Sequence, residues 1–300
     1  MTTSPSSERL DVRKTYKLYL GGAFPRSESG RTYAVHGADG RALAQAAKAS
    51  RKDARDAVVA ARAAFSRWSA ATAYNRGQVL YRVAEMLEGR TAQLAELVAQ
   101  AEGVEDATAR AQVAAAVDRW VWYAGWTDKI AQVAGNANPV AGPFFNLSVP
   151  EPTGVVAVLA PQRSSLLGLT SVVAPVVATG CTCVVVTSYE RPLPAVALGE
   201  VLATSDVPGG VVNLLTGSAA ELGPWLASHR DVDALDLAGA AGLSDPTWGD
   251  LEAAAAETLT RVVRPAELPD GEEPDWTAVP DPRRMLRFME TKTVWHPKGR

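Results

Sequence analysis

The side chains able to do chemistry are few and scattered. Cys181 and Cys183 flank Thr182. A thiolate at either position would be a nucleophile for acyl chemistry if a cation or a base stood beside it. The run Cys183-Val184-Val185-Val186 reads instead as a buried strand, where cysteine packs as a small apolar residue. Two cysteines one residue apart are also too close to bridge along an extended strand, and they supply neither a disulfide framework nor a zinc site. His36 sits beside Gly37, His229 follows a helical stretch and His296 precedes Pro297. None has a Ser or Cys partner at triad spacing, so solvated or capping roles are expected and no metal site. Thr216-Gly217-Ser218 follows an apolar run as a phosphate turn would. Without a Gly-rich fingerprint or a P-loop lysine it reads as a strand-to-helix turn. The charge run from Glu267 to Asp275 reads as solvated, and Arg283, Arg284 and Arg287 as a solvated face or the rim of an interface.

These residues belong to a chain of 300 with net charge −3, 47% hydrophobic and 21% charged. That is a foldable composition with an ample core and no field to draw nucleic acid or an anionic membrane. No apolar stretch reaches the length of a membrane span, and Met1 to Arg9 lacks the apolar segment of a secretory signal, so a cytoplasmic location is expected. Residues 1–15 read as a disordered lead. A strand and turn follow at Tyr16–Gly22, with a second near Arg31–Val35. Ser50 and Asp53 form a capping-box pattern ahead of a helix with Ala57, Val58, Ala61, Ala64, Phe65 and Trp68 on one side. Helices are expected over Asn75–Leu87, Thr91–Ala101 and Ala107–Val133. Beyond a Gly/Pro/Asn linker, the apolar runs Val155–Leu159, Cys183–Val186, Val211–Leu215 and Ala234–Leu237 alternate with helical stretches at Leu166–Thr179, Leu193–Thr204 and Ala219–Ser228. Four such runs imply βαβ crossovers and a parallel sheet covered on both faces. Asp250–Val263 reads as one more helix, 265–282 as an acidic Pro-rich linker, and 283–300 as a short helix followed by a strand.

From Tyr16 to about Ala240 the chain resembles the N-terminal and coenzyme-binding part of the aldehyde dehydrogenase superfamily. The resemblance rests on Leu20-Gly21-Gly22-Ala23-Phe24, Ala61-Arg62-Ala63-Ala64-Phe65 with Trp68, and Tyr123-Ala124-Gly125-Trp126. It continues through Gly154 to Pro161, Ala174-Pro175, Gly180, Pro192-Leu193, Pro208-Gly209-Gly210-Val211-Val212-Asn213 and Thr216-Gly217. Lys292-Thr293-Val294-Trp295 resembles the family's last strand. The implied fold is α/β: a Rossmann-like parallel sheet over 16–264 with N-terminal helices and a small β oligomerisation arm, including a β-hairpin near 144–153.

The positions that carry chemistry in the family depart from its pattern. Where the family has Trp-Asn-Phe-Pro after Ala160-Pro161, this chain has Gln162-Arg163-Ser164-Ser165, so Arg163 stands at the place of the oxyanion-binding Asn. The family's Lys-Pro-Ser-Glu, which holds the adenosine ribose, falls on Val186, Thr187, Ser188 and Tyr189. Its Phe-Thr-Gly-Ser at the pyrophosphate falls on Leu237-Ala238-Gly239-Ala240. The residues after Ser244 contain no Cys and no Glu-Leu-Gly-Gly run.

No catalytic residue is therefore expected. Pro161, Val186, Ser188, Tyr189, Gly217, Gly239 and Ala240 are vestiges of a coenzyme site, with no cofactor expected and at most weak NAD(P). The resemblance implies an interface at Phe145, Leu147, Val149, Thr291, Thr293, Val294 and Trp295, where the terminal strand reaches a partner's sheet. The expected function is that of a pseudoenzyme, a structural or regulatory subunit bound to a full-length aldehyde dehydrogenase or to itself. The alternatives are an NAD(P)-dependent aldehyde oxidoreductase completed by a catalytic domain in trans, and a nucleotide-binding sensor.

Overall fold

The structure is a computed structural model that describes residues 14–269 and 272–298. Residues 1–13 of the expected lead lie outside the described residues. In chain order the elements begin with β1 (Thr15–Tyr16), β2 (Thr32–His36), β3 (Ala42–Ala47), α1 (Arg51–Ala70), α2 (Ala73–Glu88), α3 (Thr91–Glu102), α4 (Asp106–Trp126), α5 (Ile130–Ala134), β4 (Asn136–Ala137) and β5 (Phe144–Pro152). The second half holds β6 (Val155–Leu159), α6 (Leu167–Thr179), β7 (Thr182–Val186), α7 (Leu193–Leu202), β8 (Val212–Leu215), α8 (Ala219–Ala227), β9 (Ala234–Asp236), α9 (Trp248–Ala256), β10 (Arg261–Val263), α10 (Arg283–Leu286) and β11 (Met289–Pro297).

The central sheet is parallel and five-stranded, ordered β10-β9-β6-β7-β8. Period-2 alternation decides which face each side chain joins even where both faces are buried. Val156 and Val158 of β6 pack with α2, α4, α6 and α7, whereas Val155, Ala157 and Leu159 pack with α1, α8 and α9. Every residue of α6 is buried. Ser50 caps α1 in the expected capping box with Asp53, whose carboxylate also accepts from the Ser27 hydroxyl.

Three local expectations are corrected. The single helix over 107–133 is interrupted after Trp126, where the Thr127 hydroxyl donates to the Ala124 carbonyl at 2.9 Å and competes with helix propagation. The helix foreseen over 250–263 ends at Ala256. Leu259 turns the chain with φ +56°, and Arg261–Val263 becomes a fifth strand paired to β9. The segment near 144–153 is one nine-residue strand, not a hairpin, and its hairpin partner is the short β4. Within the chain, β11 pairs antiparallel with β5 from Met289↔Pro152 to Pro297↔Phe144.

Candidate functional site

The strand order places a topological switch point at β6, because β7 and β8 lie to one side of it and β9 and β10 to the other. In open α/β sheets the crevice beyond the strand ends at such a point is where ligands bind. Here it is a cleft of about 560 Å³ lined by Gln162, Arg163, Ser188, Tyr189, Arg191, Ser218, Gly239 and Glu273, among others. Of the residues expected as coenzyme vestiges, Ser188, Tyr189 and Gly239 line the cleft and the others do not. Val186 and Ala240 are fully buried, Ala240 within the core under α8 and α9. Pro161 and Gly217 are buried behind the cleft wall. Gly239 is required by close approach: its N–H donates to the Leu159 carbonyl at 2.8 Å, and a Cβ there would strike the Ala160 carbonyl.

Several of the cleft's polar groups bond one another. The Gln162 amide donates to the Ala160 carbonyl at 2.7 Å and accepts from the Tyr189 N–H at 3.1 Å. The Ser188 hydroxyl donates to the Gln162 carbonyl at 2.8 Å, and the Arg191 guanidinium donates to the Arg163 carbonyl at 2.5 Å. The Tyr189 ring stacks on Tyr33 of β2 at 4.6 Å between centroids and 11° between planes. Burial, with Tyr189 alongside, pushes the Tyr33 hydroxyl above its ordinary range.

The acidic stretch supplies residues that sequence reasoning missed. The Glu273 carboxylate accepts from the N–H groups of Gln162 at 2.6 Å, Arg163 at 2.7 Å and Ser164 at 3.1 Å. The Trp276 indole N–H donates to the same carboxylate at 3.1 Å. The next amide, Ser165, donates to Glu102 at 2.7 Å. Nothing in the sequence singles Glu273 out from its acidic neighbours. Further along, Arg284 donates to the fully buried Asp236 at 2.5 Å, and Met285 and Phe288 enter the core. Burial raises the Asp236 carboxyl, and Arg284 opposes that rise.

Neither cysteine reaches the cleft. Both are fully buried, and burial drives both thiols well above their ordinary range. The Cys181 thiol donates to the Phe288 carbonyl at 3.3 Å. Thiols so placed are small apolar side chains and not nucleophiles. Among the described residues no group of three or more His, Cys, Asp and Glu side chains is arranged to hold a metal ion. No described helix is long and apolar enough to cross a membrane.

The small sheet β11-β5-β4 lies apart from this cleft. Register divides the residues expected at an interface between its two faces. Phe145, Leu147 and Val149 lie on one face with Val294, which pairs directly with Leu147. Thr291, Thr293 and Trp295 lie on the other, where Thr293 meets the Ser148 hydroxyl at 2.9 Å and Trp295 meets Phe144 edge-on at 5.8 Å. On the first face Phe145 is 54%, Leu147 47% and Val294 42% exposed, and on the second Trp295 is 59% exposed.

The sequence profile of the aldehyde dehydrogenase family matches residues 24–265. DhaS of Bacillus subtilis (strain 168) is 31% identical over 266 residues, covering 87% of this chain and 52% of that protein. Retinal dehydrogenase 2 of Gallus gallus is 32% identical over 258 residues, covering 84% of this chain and 48% of that protein. Among solved structures, the NAD+ complex of the aldehyde dehydrogenase from Bacillus cereus superposes with a TM-score of 0.76 at 28% identity, over 83% of this chain and 50% of that one. The chain thus spans about half the length of these relatives. With this coverage, the five-stranded parallel sheet and its flanking helices identify the chain as a member of the aldehyde dehydrogenase family.

Proposed function

We propose that this chain is a non-catalytic member of its family that acts through association, as a structural or regulatory partner of a full-length aldehyde dehydrogenase or of a second copy of itself. The observation that carries this reading is the open face of β5 and β11, where Phe145, Leu147, Val149 and Val294 are exposed beside the Lys292–Glu151 pair, built on an uninterrupted nine-residue pairing. An exposed cluster of Phe145, Leu147, Val149 and Val294 gains by burial, at about 25 cal/mol per Å² of apolar surface covered. The outer edge of β11, unpaired among the described residues, adds a row of backbone groups for a partner strand. The same reading keeps the chain in the cytoplasm beside such a partner, with no nucleic acid or membrane involved.

The residues at the switch point do not fit a nicotinamide dinucleotide. Val186 is buried, Tyr189 is stacked on Tyr33, and the amides that could meet an anion already hold carboxylates. No reaction step is routed through NAD(P). Between β10 and α10 the chain carries no cysteine, and the two it has are sealed in the core. Co-expression with a full-length aldehyde dehydrogenase tests the reading. Co-purification, or recovery of this chain as a self-associated assembly, with no aldehyde oxidation by this chain alone, is expected; recovery as a single unassociated chain, or turnover lost in Cys181→Ser, would overturn it.

The nucleotide-sensor reading is favoured by one observation, the 560 Å³ cleft at the position where ligands of this sheet class bind. It predicts that millimolar NAD+ or NADP+ raises the melting temperature. The association reading predicts no shift.

A further inference from the structure

Four successive amides at the switch point, Gln162 to Ser165, donate to carboxylates of the same chain. Glu102 belongs to the end of α3, a fixed element of the core. Glu273 belongs to a stretch without regular secondary structure. Arg119 holds that stretch from behind by donating to the Trp276 and Ala278 carbonyls.

Consecutive N–H groups converging on one carboxylate form an anion nest, and such charge-assisted bonds are roughly twice as strong as neutral ones. The nest is not sealed. Glu273 is half-buried and lines both the 560 Å³ cleft and a shallower one of about 410 Å³. Arg163 and Arg191 border both clefts but Glu272 does too, and Glu190 lines the larger one, so the pull on an anion comes from the converging amides themselves. An external carboxylate or phosphate would meet the same three amides, and only the Glu273 side chain stands in its way.

We propose that Glu273 is a built-in ligand. The 272–276 segment delivers its own carboxylate to the Gln162–Ser164 nest as an intramolecular stopper, and lifting it opens a site for a small carboxylate or phosphate group. This goes beyond the association reading and does not depend on it, since β5 and β11 take no part.

The test compares the full chain with Glu273→Ala and Glu273→Gln by thermal unfolding and by equilibrium dialysis against formate, acetate and inorganic phosphate. Glu273→Ala is expected to unfold at lower temperature than the parent. Formate or acetate should return part of that loss and bind at least about tenfold more tightly than to the parent, whose nest is already filled. Phosphate in place of formate would assign the nest to the larger anion. Glu273→Gln keeps the bulk but turns an NH2 group toward the amides, so it should unfold below the parent and respond less to anions. Parent-like melting of both variants, or equal anion binding by the parent and Glu273→Ala, would overturn the proposal. If Glu273→Ala does not fold, Glu273→Gln decides. Lowered melting with an anion response supports the stopper, and unchanged melting refutes it.

Discussion

The switch-point cleft and the open face of β5 and β11 treat their surfaces in opposite ways. At the cleft the backbone amides are paired within the chain, to Glu273 and Glu102, Gln162 bonds its neighbours, and the Tyr189 ring stacks on Tyr33. At the small sheet, β11 pairs along the whole of β5, yet apolar side chains on that pair are left in water. A site whose hydrogen bonds are already made gains little from a ligand, whereas an uncovered apolar face gains from any complementary surface. This difference is why association through the sheet is the function we propose, while the filling of the cleft's amides by Glu273 carries a separate proposal.

The largest effect should come from charging the open face. Leu147→Asp combined with Val294→Asp places two carboxylates opposite each other on adjacent strands. Sedimentation should then show loss of all association, while the opposed carboxylates cost only up to about 1 kcal/mol of stability because both sites are half exposed. Persistence of the assembly would break the comparison at its stronger end.

Next comes the anchor that joins the two regions. Arg284→Ala strands the Asp236 carboxylate in the core and should cost about 3 kcal/mol by denaturant unfolding. The pH dependence has a definite sign. Asp236 already titrates above its unfolded value, and without Arg284 it rises further, so the variant loses stability as pH climbs from the ordinary carboxylate range. The gap to the parent should narrow toward acid. A gap that widens there would mean the pair is not buried as described.

A smaller effect distinguishes buried thiols from reactive ones. Neither Cys181 nor Cys183 should react with a disulfide reagent in the native chain, and both should in denaturant. Cys183→Ser should cost about 1–3 kcal/mol, since a hydroxyl there would lack partners. Smallest is Tyr33→Phe. The Tyr33 hydroxyl is buried without a partner, so its removal should be neutral or stabilising by about 1 kcal/mol, with the Tyr189 stack kept. A loss of stability would reveal a hydrogen bond within the cleft wall.

Much of the fold was legible because buried parallel strands write themselves as apolar runs. Val155–Leu159 and Thr182–Val186 are such runs, and Gly180 ends the helix between them in the left-handed region at φ +97°. β10 was hidden because three residues, Arg261-Val262-Val263, follow a left-handed Leu259 that no local pattern announces. The division of the β11 residues between two faces follows from period 2, since Val294 and Trp295 are neighbours and must point oppositely. Glu273 was illegible for a different reason. Which acid of a Pro-rich stretch meets a given set of amides is fixed by chain path, through Arg119, Arg284 and the burial of Phe288, and not by local sequence.

Sedimentation velocity of the purified chain, alone and mixed with a full-length aldehyde dehydrogenase, tests the central claim most directly. The account predicts either a mass above the 31.6 kDa of one chain or co-sedimentation with the partner, in both cases abolished by Leu147→Asp with Val294→Asp. This chain sedimenting at its one-chain mass in both samples, apart from the dehydrogenase, would contradict it.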